Sequence, residues 1–178
     1  MLKYLLYPLG FIYGSILSIR WWFYRKGWMH VRTFDLPIVS VGNLSVGGTG
    51  KTPHVEFLIH HFEQIHYVAT MSRGYGRQSN GFFLASQLDY IADFPLVLGD
   101  EPTQLVRKFP NIEVGVCEKR DVGIEKLLTE CPHLNLIILD DAYQHLRVKR
   151  DCNILLTDYA RPFYKDFPLP AGRLREFR

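Results

Sequence analysis

The chain has 178 residues, 47% of them hydrophobic, 22% charged and 14% aromatic. These values suit one folded domain with a real core, and they exclude both a disordered tail and a pair of ordinary domains. The formal net charge of +3 is too small to argue for a nucleic-acid partner.

The positive excess is local. Residues 1–34 carry Lys3, Arg20, Arg25, Lys26 and Arg32, with no acid before Asp35. Tyr4 to Ile19 form an uncharged, mostly apolar run broken by Pro8, Gly10 and Gly14, shorter than the roughly 20 residues a spanning helix needs. Arg20 to Lys26 then mix tryptophan and tyrosine with cations, the composition of a headgroup-level anchor. Large aromatics stand where a signal peptide needs small residues. Residues 1–34 are therefore expected to form an interfacial helix on a membrane surface. The bland alternative is an apolar helix packed on its own domain, and one helix can do both.

From Leu36 the pattern changes to short apolar runs between turns and helical stretches. Strands are predicted at 37–41, 67–71, 112–116, 134–139 and 153–157. Helices are predicted at 53–62, with Pro53 in the first turn, at 101–108, and at 121–130 with Asp121 as N-cap. Alternating strands and helices imply an α/β domain over 35–178, a parallel sheet with helices on both faces. Ligands of such sheets bind at the carboxyl ends of the strands. The three cysteines, Cys117, Cys131 and Cys152, show no CxxC spacing and read as reduced thiols and small apolar fillers.

The chemistry-bearing motifs all follow predicted strands. Ser45-Val46-Gly47-Gly48-Thr49-Gly50-Lys51-Thr52 lies between a strand and a helix, the context of a P-loop. Its glycines let backbone N–H groups turn toward phosphate oxygens, and the helix N-terminus adds its positive dipole end. Lys51 would reach the β- and γ-phosphates of ATP, and the Thr52 hydroxyl would sit on Mg²⁺. Ser45 departs from the usual glycine. Two adjacent acids, Asp140 and Asp141, end the strand at 134–139, where such sites hold Mg²⁺. Asp140 is favoured as the metal-side acid, with Asp141 able to serve equally. Asp100 could accept a proton from an attacking hydroxyl, although a helix N-cap is the better local reading. His145 could orient a carboxylate, contact phosphate or be a structural loop histidine. Arg73 and Arg77 could bind phosphate or be solvated loop charge.

Taken together, these residues resemble the tetraacyldisaccharide 4'-kinases of lipid A biosynthesis. The P-loop from Val41 to Pro53, with its serine at position 45, is similar to theirs. So are Ser72-Arg73-Gly74-Tyr75-Gly76-Arg77, Gly99-Asp100-Glu101-Pro102, Asp140-Asp141-Ala142-Tyr143-Gln144-His145 and Pro170-Ala171-Gly172-Arg173-Leu174-Arg175-Glu176. Glycine and phenylalanine commonly stand where this chain has Ala142 and Tyr143. The resemblance implies transfer of the ATP γ-phosphate to the 4'-hydroxyl of a tetraacylated disaccharide 1-phosphate, giving lipid IVA, at the cytoplasmic face of the bacterial inner membrane. It implies a catalytic-base role for Asp100. It places Asp140, Asp141, His145, Arg175 and Glu176 in the metal and phosphate site. No protein partner is implied. Family members are about twice as long, so the resemblance covers their N-terminal half, and the family's second, smaller lobe is expected to be absent from this chain.

Overall fold

A computed structural model describes residues 2–89 and 93–177. Met1 and Arg178, the outer bounds of the two expected units, lie outside the described residues. Among the described residues five α-helices, α1 (Leu2–Arg25), α2 (Lys51–Phe62), α3 (Phe94–Leu98), α4 (Asp100–Lys108) and α5 (Arg120–Glu130), accompany six strands. The strands are β1 (Ile38–Asn43), β2 (Val68–Ser72), β3 (Phe83–Leu84), β4 (Glu113–Val116), β5 (Leu136–Asp140) and β6 (Cys152–Leu156). They form one sheet in the order β3-β4-β2-β5-β1-β6. All pairings are parallel except β3 with β4.

The apolar runs make the sheet and the alternation of side chains makes two cores. On one face, Ile137 and Leu139 of β5 pack with Met71 of β2 and with Ile124 and Leu127 of α5. On the other, Leu136 and Ile138 pack with Val55 and Ile59 of α2, Leu98 of α3 and Leu105 of α4. Helices thus cover both faces. Each of these aliphatic side chains contributes about 1.5–3 kcal/mol when fully buried. In register, Val41 of β1 faces Asp140 of β5, and Asn43 faces Leu156 of β6. The tips of β1, β2 and β5 therefore lie side by side.

Several expectations are corrected. The five anticipated strands are present, and β3 is a sixth: its two antiparallel residues are too short for a periodic signal. The five-residue α3 was likewise not anticipated. α2 begins at Lys51, two residues before the predicted start, so Lys51 and Thr52 are its first two residues. α4 has Gly99 as N-cap and takes Asp100 into its first turn, so Asp100 is not the cap. α5 has Lys119 as N-cap. Asp121 lies one residue inside it, buried and 3.8 Å from Arg147.

α1 continues through Pro8, its seventh residue, where the missing N–H leaves one intrahelical hydrogen bond unmade. Gly10 and Gly14 lie where a Cβ would strike the Pro168 carbonyl and the Phe177 ring. Those glycines let α1 settle on residues 167–177. Leu9, Ile12, Ile16, Ile19 and Trp22 are 46–60% exposed and follow the three-and-four spacing of one helix stripe. No helix among the described residues is long and apolar enough to cross a membrane.

Candidate functional site

The site lies at the carboxyl ends of β1, β2 and β5. The loop leaving β1 turns into α2 through Gly47 at φ 126° and Gly50 at φ 79°, left-handed values that glycine adopts without strain. Beside Gly47 and Gly48, the position a Cβ would occupy has nothing within 4 Å. Asn43, fully buried, steadies the loop by donating to Thr49 Oγ1 at 2.8 Å. The loop entry is pinned from outside. Val46 N–H donates to the Arg173 carbonyl at 2.8 Å and Arg175 N–H to the Leu44 carbonyl at 2.7 Å. Ser45 forms an isolated bridge with Leu174. The anticipated loop residues Ser45 to Thr52 and the distant Arg175 therefore form one structure.

β5 delivers the two acids differently. Asp140 is its last residue, 3% exposed, and its Oδ1 has no hydrogen-bond partner among the described residues. Burial pushes its carboxyl from 3.8 up to about 6, with Glu101 and Asp141 adding and Lys51 opposing. Asp141 lies just past the strand at φ 46°, a left-handed conformation uncommon outside glycine and of the kind found at functional sites. Arg175 Nη1 holds it, at 2.9 and 3.0 Å from its two carboxylate oxygens. Lys51 Nζ stands 3.9 Å from Asp141 Oδ1. The loop lysine, an acid at the tip of β5 and the arginine are thus brought together. Thr52 Oγ1 lies 3.4 Å from Glu101 Oε1.

Next to the acids is a cavity of about 440 Å³ walled on one side by α1. Four arginines reach it, Arg20, Arg73, Arg120 and Arg175, together with His145 and Glu176. Arg120 is 1% exposed. It donates to the carbonyls of Cys117 at 2.7 Å and Asp140 at 3.4 Å. Burial lowers its pKa to about 10, against the pull of Asp140 and Asp141. Burial, then Arg120, Arg73 and Arg20, hold His145 down at about 4. It is therefore neutral near pH 7, a hydrogen-bonding group rather than a cation for phosphate. Glu176, 3% exposed, accepts from Trp21 Nε1 and, at 3.0 Å, from Gln144 Nε2. Its carboxyl is raised by burial, against those two hydrogen bonds.

Two anticipated residues fall elsewhere. Arg77 is absorbed by the fold, bonding to Glu118, Ser79 and the Gly81 carbonyl, so of the two loop arginines only Arg73 reaches the cavity. Asp100 is exposed and absent from the cavity lining, whereas its neighbour Glu101 is part of it. Trp21, Arg20, Arg120, Gln144 and Arg150 received no site role from the sequence. Arg150 Nη1 donates to the carbonyls of Ala142 at 2.8 Å and Tyr143 at 2.9 Å, holding the turn after Asp141. Gln144 lay inside a recognised motif. Arg20 and Trp21 belong to the stretch expected at headgroup level, but both line the cavity instead; Arg120 and Arg150 carry no local sequence signal.

Residues 2–178 match the profile of the family described as tetraacyldisaccharide-1-P 4'-kinase. The chain is 49% identical over 178 residues to a tetraacyldisaccharide 4'-kinase of Cytophaga hutchinsonii, covering 99% of this chain and 50% of that protein. Against the Flavobacterium johnsoniae protein of the same name the identity is 47%, covering 100% and 51%. Among solved structures, LpxK from Aquifex aeolicus in complex with ATP superimposes with a TM-score of 0.89 at 36% identity, covering 99% of this chain and 55% of that one. The chain spans about half the length of the curated relatives it matches.

Proposed function

Because the chain belongs to the tetraacyldisaccharide-1-P 4'-kinase family, we propose that it binds MgATP on the loop from Ser45 to Thr52 and serves transfer of the γ-phosphate to the 4'-hydroxyl of a tetraacylated disaccharide 1-phosphate. The observation that carries this reading is the convergence of Lys51, Asp141 and Arg175 within hydrogen-bond or ion-pair reach, beside the glycine loop and an arginine-lined cavity. Lys51 and Arg175 supply the positive charge that a transferring phosphoryl group needs. The hydroxyl oxygen forms a bond to the γ-phosphorus as the bond to the ADP oxygen breaks. The hydroxyl proton passes to a carboxylate, Asp100 by family resemblance.

Thr52, Asp140 and Glu176 are the residues that would hold Mg²⁺. The unpartnered, buried Asp140 Oδ1 fits a cation, since a buried anionic oxygen without a donor is otherwise costly. When bound, the ion would neutralise charge on the β- and γ-phosphates.

The exposed stripe from Leu9 to Trp22 on α1 supports a peripheral seat on a membrane, and the family resemblance makes that the cytoplasmic face of the inner membrane. There Trp22 and Trp28 would lie at headgroup level with Arg25 and Lys26. An enzyme so seated meets its acylated substrate in two dimensions rather than three.

The test is phosphate transfer from radiolabelled ATP to the lipid disaccharide, read by thin-layer chromatography. Labelled lipid that disappears in Lys51→Ala supports the reading, and labelling unaffected by Lys51→Ala contradicts it. The exposure of Asp100 favours one second reading, nucleotide binding without transfer. Calorimetric MgATP binding with no labelled lipid would mark it.

A further inference from the structure

We infer that Trp21 is a positioning residue of the nucleotide site, acting through its indole N–H on Glu176. The inference rests on the proposed binding of MgATP at this loop. Trp21 and Trp22 are adjacent on α1 and face different surroundings. Trp22 is 46% exposed and edge-on to Trp28, with ring centroids 5.1 Å apart. Trp21 turns inward, its ring 5.8 Å from that of Tyr143 and its N–H donated to Glu176 Oε2.

The other oxygen of Glu176 accepts from Gln144 Nε2 at 3.0 Å. The same Gln144 nitrogen donates to the carbonyl of Asn43 at 3.0 Å, while its oxygen faces Arg175 Nη1 at 3.4 Å. Asn43 holds Thr49 in the loop, and Arg175 holds Asp141. A continuous chain of hydrogen bonds therefore runs from α1 to both halves of the nucleotide site. Ring packing alone would need only the aromatic surface of Trp21. The buried carboxylate opposite the N–H gives the nitrogen a separate use, because without that donor Oε2 has no partner among the described residues. Glu176 would then turn toward other donors, and Gln144 and Arg175 are already bonded to the loop and to Asp141.

The experiment uses the 178-residue chain carrying Trp22→Phe and Trp28→Phe, which leaves Trp21 as the single tryptophan of three. Growth of a tryptophan auxotroph on 3-benzothienylalanine then replaces the N–H with sulfur at nearly constant shape. MgATP affinity, and ATP affinity in EDTA, are measured by calorimetry alongside thermal melting. The expected result is MgATP binding about tenfold weaker, the usual effect of losing a partner behind a metal ligand, with metal-free ATP binding unchanged. Trp21→Phe in the same chain should follow the sulfur analogue. Equal MgATP affinity in parent and analogue overturns the inference while leaving the nucleotide reading intact. An equal loss with and without metal also overturns it, by reducing Trp21 to packing. A folded parent that binds no ATP in either form removes the nucleotide reading and this inference with it.

Discussion

Replacing Asp140 with asparagine is expected to stabilise the empty protein at pH 8, by an amount that fades as the pH falls to 4. The carboxylate is buried and one of its oxygens has no donor among the described residues. Burial raises its pKa from 3.8 in the unfolded chain to about 6 in the folded one. A carboxyl with the higher pKa in the folded state takes up a proton on folding between those two values. The ionised form therefore costs stability in full above about pH 7, and the cost is relieved as the pH falls through 6 toward 3.8. A gap of about two pH units corresponds to ~3 kcal/mol at 1.36 kcal/mol each. The neutral amide also escapes the repulsion of Glu101 and Asp141. An amide N–H₂ left without an acceptor would offset about 1–2 kcal/mol of this, so a net gain of about 1–3 kcal/mol is expected at pH 8.

The assay is urea unfolding of parent and variant at pH 4, 5, 6 and 8. His145, held near 4 against 6.5 unfolded, makes both proteins lose stability below pH 6.5, so the quantity to read is the difference between them. A variant less stable than the parent at pH 8, or a gain independent of pH, would refute the reasoning. Saturating MgATP should reverse the ranking at pH 8, since a ligand that needs Asp140 stabilises only the parent.

Gly123→Val should cost about 1–3 kcal/mol and lower the urea midpoint, because a Cβ there falls 2.7 Å from the Cys117 Cβ and 3.0 Å from the Met71 sulfur. An unchanged midpoint would show that the core around α5 yields more than its packing indicates. Arg77→Ala should destabilise by about 1–3 kcal/mol through the lost bonds to Glu118 and Gly81, whereas Arg73→Ala should leave unfolding unchanged and slow phosphate transfer. The opposite assignment in paired unfolding and transfer assays would contradict the division of these two arginines. Removing residues 1–30 should abolish flotation with anionic liposomes, and equal flotation of both forms would discard the interfacial role of α1.

The parts of the fold written in long local runs could be read in advance. β5 is a run of leucine and isoleucine up to Asp140, and β1 opens on Ile38, Val39 and Val41, so both strands are legible to within two residues of their bounds. β3 has two residues and takes its place from β4, so nothing local marks it. The caps of α4 and α5 failed for a different reason. Asp100 and Asp121 are good capping residues, but Gly99 is drawn close to Gly74 and the Tyr75 carbonyl, and this tertiary contact starts α4 one residue earlier. The same division holds in the site. The glycine loop, Asp140 and Asp141 follow strand ends and are visible as motifs. Arg120 meets the Asp140 carbonyl across 20 residues and Trp21 meets Glu176 across 155, separations at which single-sequence patterns carry no signal.

The measurement closest to the heart of the account is calorimetric titration of the folded chain with ATP in the presence of Mg²⁺, repeated with Lys51→Ala. Saturable heat from the parent and none from the variant is the predicted outcome. Folded parent giving no heat, or a variant that binds as the parent does, would show that the loop from Ser45 to Thr52 is not where a triphosphate sits.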